Sequence, residues 1–147
     1  MKMFQRILLT TDFSPASTPA FEQSVKMAKR EGALLLIAHA YQEPGLVELS
    51  HAPARVYEKW DRALREGVER KLQPLVDYAR KEGIEARTLL LTGFADEAII
   101  EAAKQQRADL IVMGTHGRRG AARLFLGSVA SRVISTAPCP VMTVRRA

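Results

Sequence analysis

The residues of this chain best suited to chemistry lie in one stretch, Met113 to Val129, MGTHGRRGAARLFLGSV. Just before it, Ala108-Asp109-Leu110-Ile111-Val112-Met113 forms a short apolar run, the pattern of a strand buried on both faces of a parallel sheet. Gly114 ends that run, glycines recur at 117, 120 and 127, and Ser128 follows the last of them. Val129-Ala130-Ser131-Arg132-Val133-Ile134 then continues with helical spacing of its apolar positions. The order is strand, glycine-rich loop, helix start. Residues without Cβ let such a loop turn its N–H groups toward an oxyanion, approach it closely and adopt positive φ. The first turn of the helix adds unpaired N–H groups and the positive end of a dipole, and Ser128 adds a hydroxyl donor. The chemistry implied is anion binding, with phosphate as the natural ligand.

Charge is distributed to match. The net charge is +6, yet up to Asp109 there are 16 basic and 16 acidic residues. From Leu110 to Ala147 there are six arginines, at 118, 119, 123, 132, 145 and 146, and no acid. The basic excess therefore sits in the segment that carries the glycines, where it raises the local concentration of anionic ligands. Nucleic acid could use the same charge, but there is no helix-turn-helix cue, zinc-finger spacing or RNP-type aromatic motif. Solvated surface charge accounts for Arg145 and Arg146 equally well.

The elements that must position this loop alternate along 147 residues, a length suited to one domain, 1–147, with one real core. Arg6-Ile7-Leu8-Leu9-Thr10-Thr11 is a first strand, ended by Asp12-Phe13-Ser14-Pro15. Ser14-Pro15 and Thr18-Pro19 both offer a cap followed by proline for a first helix, which places Phe21, Val25 and Ala28 inward and closes at Gly32. Ala33 to Ala38 is a second strand, opening into a polar, proline-bearing stretch from Tyr41 to Pro53 with the character of a flap or partner surface. A long helix over Arg55 to Glu82 sets Val56, Trp60, Ala63, Leu64, Gly67, Val68, Leu72, Leu75 and Ala79 along one side, with Pro74 expected to kink it or end its first part. Glu85 to Thr92 is a third strand, Phe94 to Gln106 a third helix, Leu110 to Met113 the fourth strand and Val141 to Arg145 the fifth. Regular alternation of this kind predicts an α/β fold, one doubly wound, mostly parallel sheet between helical layers. With no apolar run of 18 residues and no signal-peptide core at the N-terminus, a cytoplasmic protein is expected. Cys139, the sole cysteine, lies between Pro138 and Pro140 and reads as a small packed side chain.

The spacing Gly114-x2-Gly117-x9-Gly127-Ser128 is neither a P-loop nor GxGxxG. It resembles the ATP-binding signature of the universal stress protein family, and every fixed position of that pattern is matched. Glycines needed only for turning are the alternative reading of the same residues. The resemblance extends to ILLTTDFSPAS at the start and APCPVMTVR at the end. It implies a three-layer fold with five strands in the order 3-2-1-4-5, ATP as ligand, a homodimer and a role in stress resistance.

In doubly wound sheets ligands bind beyond the carboxyl ends of the strands, where successive connections part to opposite faces. For the implied order this crevice lies between strands one and four, where Thr11-Asp12-Phe13-Ser14 meets Gly114 to Ser128. Asp12 can accept from ribose hydroxyls or help hold a divalent cation such as Mg2+ or Mn2+; a helix-capping acid is its structural alternative. Ala40, after strand two, matches the family position whose backbone contacts adenine. The resemblance thus places nucleotide contacts at Asp12, Ala40, Gly114, Gly117, Arg118, Gly127, Ser128 and Val129.

Catalysis has much weaker support. His116 within the loop has no positioned partner in the sequence, His39 and His51 have no metal-ligand spacing, and no GxSxG elbow, HExxH or cysteine-base pairing is present. The expected function is therefore an ATP-binding regulatory module. The alternatives are a weak ATPase or phosphotransfer enzyme using Asp12 and a metal, and a nucleotide-free interaction protein. Val141 to Val144, short and β-prone at the end of the order, is expected at a sheet edge where a second copy pairs with it.

Overall fold

The computed structural model describes residues 2–41, 51, 53–115 and 126–146. Its strands are β1 (Arg6–Thr10), β2 (Leu34–Tyr41), β3 (Ala86–Thr92), β4 (Leu110–Gly114) and β5 (Val141–Val144). Its helices are α1 (Thr18–Glu31), α2 (Ala54–Lys81), α3 (Ala95–Gln105) and α4 (Ser128–Thr136), with a short 3-10 turn over Pro15–Ser17 ahead of α1. The strands form one sheet in the order β3-β2-β1-β4-β5, and every neighbouring pair is parallel.

Side chains on the three inner strands alternate between two cores, because successive Cβ atoms of a strand point to opposite faces. Ile7, Leu9, Leu35, Ile37, Leu110 and Val112 pack on one face against Val25 and Ala28 of α1 and Val68, Leu72 and Val76 of α2. Leu8, Leu36, Ala38, Ile111 and Met113 pack on the other against Ile99 and Ala103 of α3 and Ala130 and Val133 of α4. Burial on both faces explains the unbroken apolar runs of these strands. The connection leaving β1 therefore crosses one face and that leaving β4 crosses the other, so the strand ends part at this point.

Two expectations change. The strand read as Ala33 to Ala38 runs on through His39, Ala40 and Tyr41, since β3 continues to pair with it there. Helix α2 passes through Pro74 without ending, and only its later part supplies buried residues: Val68, Leu72, Val76 and Ala79. Leu72 is fully buried, whereas Trp60 is 52% exposed and Leu64 is exposed as well. Length explains this. At about 1.5 Å per residue the 28 residues of α2 span roughly 42 Å, against roughly 26 Å for the eight residues of β2 at about 3.3 Å each, so the first half of the helix overshoots the sheet.

The start of α1 was ambiguous between two caps and uses neither. Ser14-Pro15 opens the 3-10 turn, α1 begins at Thr18, and Ser17 occupies its cap position without a side-chain capping bond. Gly32 closes α1 at φ 65°, a left-handed conformation that explains a glycine here.

Candidate functional site

Register places the site before any side chain is considered. Leu9 is paired with Val112, so β4 ends one residue beyond the end of β1, and Asp12 and Thr115 each stand three residues beyond that pair. Thr10 is paired with Ala38, so Ala40 stands at the level of Asp12 on the neighbouring strand. Gly114 is the last residue of β4, paired with Val144. The N–H of Gly127 donates to the carbonyl of Thr115 at 2.7 Å, which draws the end of the glycine segment back to the strand that begins it. Gly127 then caps α4, and its carbonyl accepts from Ser131 N–H at 2.9 Å.

Asp12, Ala40, Gly114, Gly127, Ser128 and Val129 are thus placed at the carboxyl end of the sheet around the parting of β1 and β4. Ser128 is exposed and Val129 half-buried in the first turn of α4. That turn presents N–H groups without intrahelical acceptors, together with the positive end of the helix dipole. Gly117 and Arg118 lie outside the described residues, as do His116 and residues 42–50 and 52 of the expected flap.

The backbone at the motif glycines corrects one part of the sequence reading. Gly127 has φ −62° and ψ 157°, extended backbone open to any residue, and Gly114 is not among the positive-φ glycines either. Among the described residues the left-handed glycines are Gly32, Gly83 and Gly93, all outside the motif. At Gly127, then, no dihedral requirement calls for glycine.

Facing α4 across the crevice is the turn that leaves β1. Asp12 Oδ1 accepts from Ser14 N–H at 2.9 Å and from Ser14 Oγ at 2.5 Å, so its carboxylate is engaged in its own turn rather than capping a helix. Two residues here went unrecognised in the sequence. His39 Nδ1 lies 2.7 Å from the carbonyl oxygen of Thr11, and because a carbonyl only accepts, Nδ1 carries the proton. Phe13 has φ 64° and its ring lies against that of His39, with centroids 4.6 Å apart and planes tilted by 41°. His39, weighed in the sequence only as a metal ligand, bonds a backbone carbonyl that leaves no residue-type signature, and no sequence pattern marks a phenylalanine for left-handed backbone.

The opposite end of the sheet is tied by a residue read only as part of an apolar run. Asp109 Oδ2 accepts from Gln5 N–H at 2.8 Å and Oδ1 from Arg6 N–H at 3.1 Å, while Arg6 Nε donates to the carbonyl of Gln106 at 2.6 Å. Cys139, half-buried nearby, has its thiol pKa pushed up, first by burial and then by the charge of Asp109. Among the described residues no cluster of three or more His, Cys, Asp or Glu side chains is arranged to hold a metal ion, and no helix is long and apolar enough to cross a membrane.

A five-stranded parallel sheet with helices on both faces and connections that part between β1 and β4 defines an open, doubly wound α/β protein. The model of the universal stress protein family matches residues 3–145, and the chain belongs to that family. It is 39% identical over 145 residues to a universal stress protein of Thermus aquaticus, covering 97% of this chain and all of the relative. Among solved structures it is similar to the universal stress protein UspA from Lactobacillus plantarum, with a TM-score of 0.81, 27% identity and coverage of 96% and 97% of the two chains. A universal stress protein solved in complex with cAMP matches with a TM-score of 0.68 and 26% identity over 98% of each chain.

Proposed function

We propose that this chain is a single-domain regulatory module that binds ATP in the crevice between β1 and β4, and that nucleotide occupancy biases the surfaces a partner reads. The observation that carries the reading is the bond from Gly127 N–H to Thr115 O, which holds the start of α4 beside the carboxyl ends of the central strands. A phosphate chain at that point meets the first-turn N–H groups and the Ser128 hydroxyl, while Asp12 and Ala40 stand level with each other on the ribose and adenine side. The family spacing, Gly114-x2-Gly117-x9-Gly127-Ser128, is complete, and a similar structure holds an adenine nucleotide. Residues available to the ligand are Asp12, Ala40, Gly114, Gly127, Ser128 and Val129, with Gly117 and Arg118 added by the motif.

Mass spectrometry of nucleotide retained by the purified protein, followed by calorimetry, tests this reading. ATP is expected to bind more tightly than AMP at fixed salt, with Mg2+ or Mn2+ helping to neutralise the triphosphate; equal affinities would sink the triphosphate assignment. Turnover is expected far below the roughly 10 per second of a median enzyme. We further propose a homodimer in which the edge strand β5 pairs with that of a second copy across a twofold axis. Sedimentation as a monomer at all concentrations would refute it.

A further inference from the structure

The turn that presents Asp12 is built around an unfavourable backbone conformation. Phe13, a bulky aromatic residue, sits at φ 64°, where residues other than glycine are scarce and backbone strain is stored. Within the turn, Phe13 N–H donates to Thr11 Oγ1 at 3.0 Å, and the hydroxyls of Thr11 and Ser17 are 3.0 Å apart. Ser17 Oγ donates its one proton to the carbonyl of Ser14 at 2.8 Å, so the proton between the two hydroxyls must come from Thr11. This ordered chain links residues 11 to 17, but all of its members are local and could shift together.

What fixes the turn to the sheet comes from β2. Thr11 N–H makes the last rung, to Ala38 O at 2.9 Å. The carbonyl of the same residue, where the strand ends, is taken by the His39 side chain through Nδ1–H at 2.7 Å. The imidazole also lies against the Phe13 ring at 4.6 Å, and the Lys71 ammonium stands 5.5 Å from that ring's centre. One side chain therefore holds the Thr11 carbonyl and the ring of the left-handed Phe13, on either side of Asp12.

We propose that His39 is a positioning residue for ribose recognition: by holding Thr11 and Phe13 it aims the Asp12 carboxylate at the hydroxyls of an adenine ribonucleotide. The inference rests on the crevice being the ATP site. Without His39 the turn relaxes toward negative φ at Phe13, the Thr11–Asp12 backbone rotates, and the carboxylate leaves the ribose while the phosphate contacts at α4 remain.

The test compares ATP with 2′,3′-dideoxy-ATP by calorimetry on wild type, His39→Ala, His39→Asn, Asp12→Ala and the His39→Ala/Asp12→Ala double variant. His39→Ala is expected to weaken ATP binding about tenfold and leave the dideoxy nucleotide unchanged. His39→Asn, whose amide places a donor close to the Nδ1 position, should restore most of the loss, and His39→Ala should add nothing in the Asp12→Ala background. Equal losses for both nucleotides, no recovery in His39→Asn, or additive losses in the double variant would overturn the proposal. Should His39→Ala fail to fold, His39→Asn still decides: it must keep both ATP affinity and the wild-type preference for ATP over the dideoxy nucleotide. If wild type binds no ATP, the nucleotide reading falls and this one with it; normal ATP binding by His39→Ala removes this proposal alone.

Discussion

At the amino ends of β1 and β4 the Asp109 carboxylate reaches across to the N–H groups of Gln5 and Arg6, more than a hundred residues away in sequence. At the carboxyl end of the same strands the Asp12 carboxylate bonds to Ser14, two residues away. Both are half-buried acids beside central strands. One closes a long-range connection and lowers the free energy of the fold; the other shapes a local turn at the mouth of a crevice. The difference is one of reach: Asp109 ties segments far apart in sequence, whereas the bonds between Asp12 and Ser14 shape the turn that the proposed nucleotide would meet.

The strongest way to break this contrast is to remove Asp109. Asp109→Ala forfeits two hydrogen bonds to a charged acceptor, for which a loss of about 3 kcal/mol is expected, lowering the melting temperature by on the order of 10 °C. ATP affinity of the protein that remains folded should not change. Wild-type melting in Asp109→Ala would end the assignment of a structural clasp.

The reverse pattern is expected at the other end. Ser128→Ala should cost about 1.5–3 kcal/mol of ATP affinity with melting of the ligand-free protein unchanged. Gly127→Ala sharpens the point, because φ −62° accepts alanine without strain. Its melting temperature should stay near that of wild type while ATP affinity falls. A destabilised Gly127→Ala that binds ATP normally would make the glycine structural and the cradle wrong.

The smallest effect concerns the thiol. Burial and then Asp109 hold the Cys139 pKa above its ordinary value, so alkylation near neutral pH should be slow. Since burial is the larger cause, Asp109→Asn should speed labelling only slightly, read as loss of free thiol over time. A large acceleration would mean that opening of the strand ends, rather than charge, controls access.

These contrasts also show what a sequence can reveal. Double burial writes itself into composition, so Leu8, Leu36 and Ile111 announced their strands, and the regular alternation announced the parallel sheet. The place of the crevice followed from the strand order that the family resemblance implied, and the glycine spacing carries the proposal of a phosphate ligand there. Asp109 was hidden because its partners are backbone N–H groups, which leave no residue-type signature. The contacts of His39 were hidden because one partner is a backbone carbonyl and the other a left-handed phenylalanine. Amphipathic spacing over-predicted the buried face of α2, since periodicity records which side faces inward but not where the sheet beneath it stops.

That overshoot has an optical consequence. Trp60, the sole tryptophan, stands half exposed on the part of α2 beyond the core. Its emission reports the surroundings of the outer half of one helix and is nearly blind to the packing around Leu72. In a denaturant titration the fluorescence change should be small and precede the far-ultraviolet dichroism, because the outer turns can fray while both cores are intact. Two non-coincident curves would then record where the fluorophore stands, and would be no sign of a populated folding intermediate.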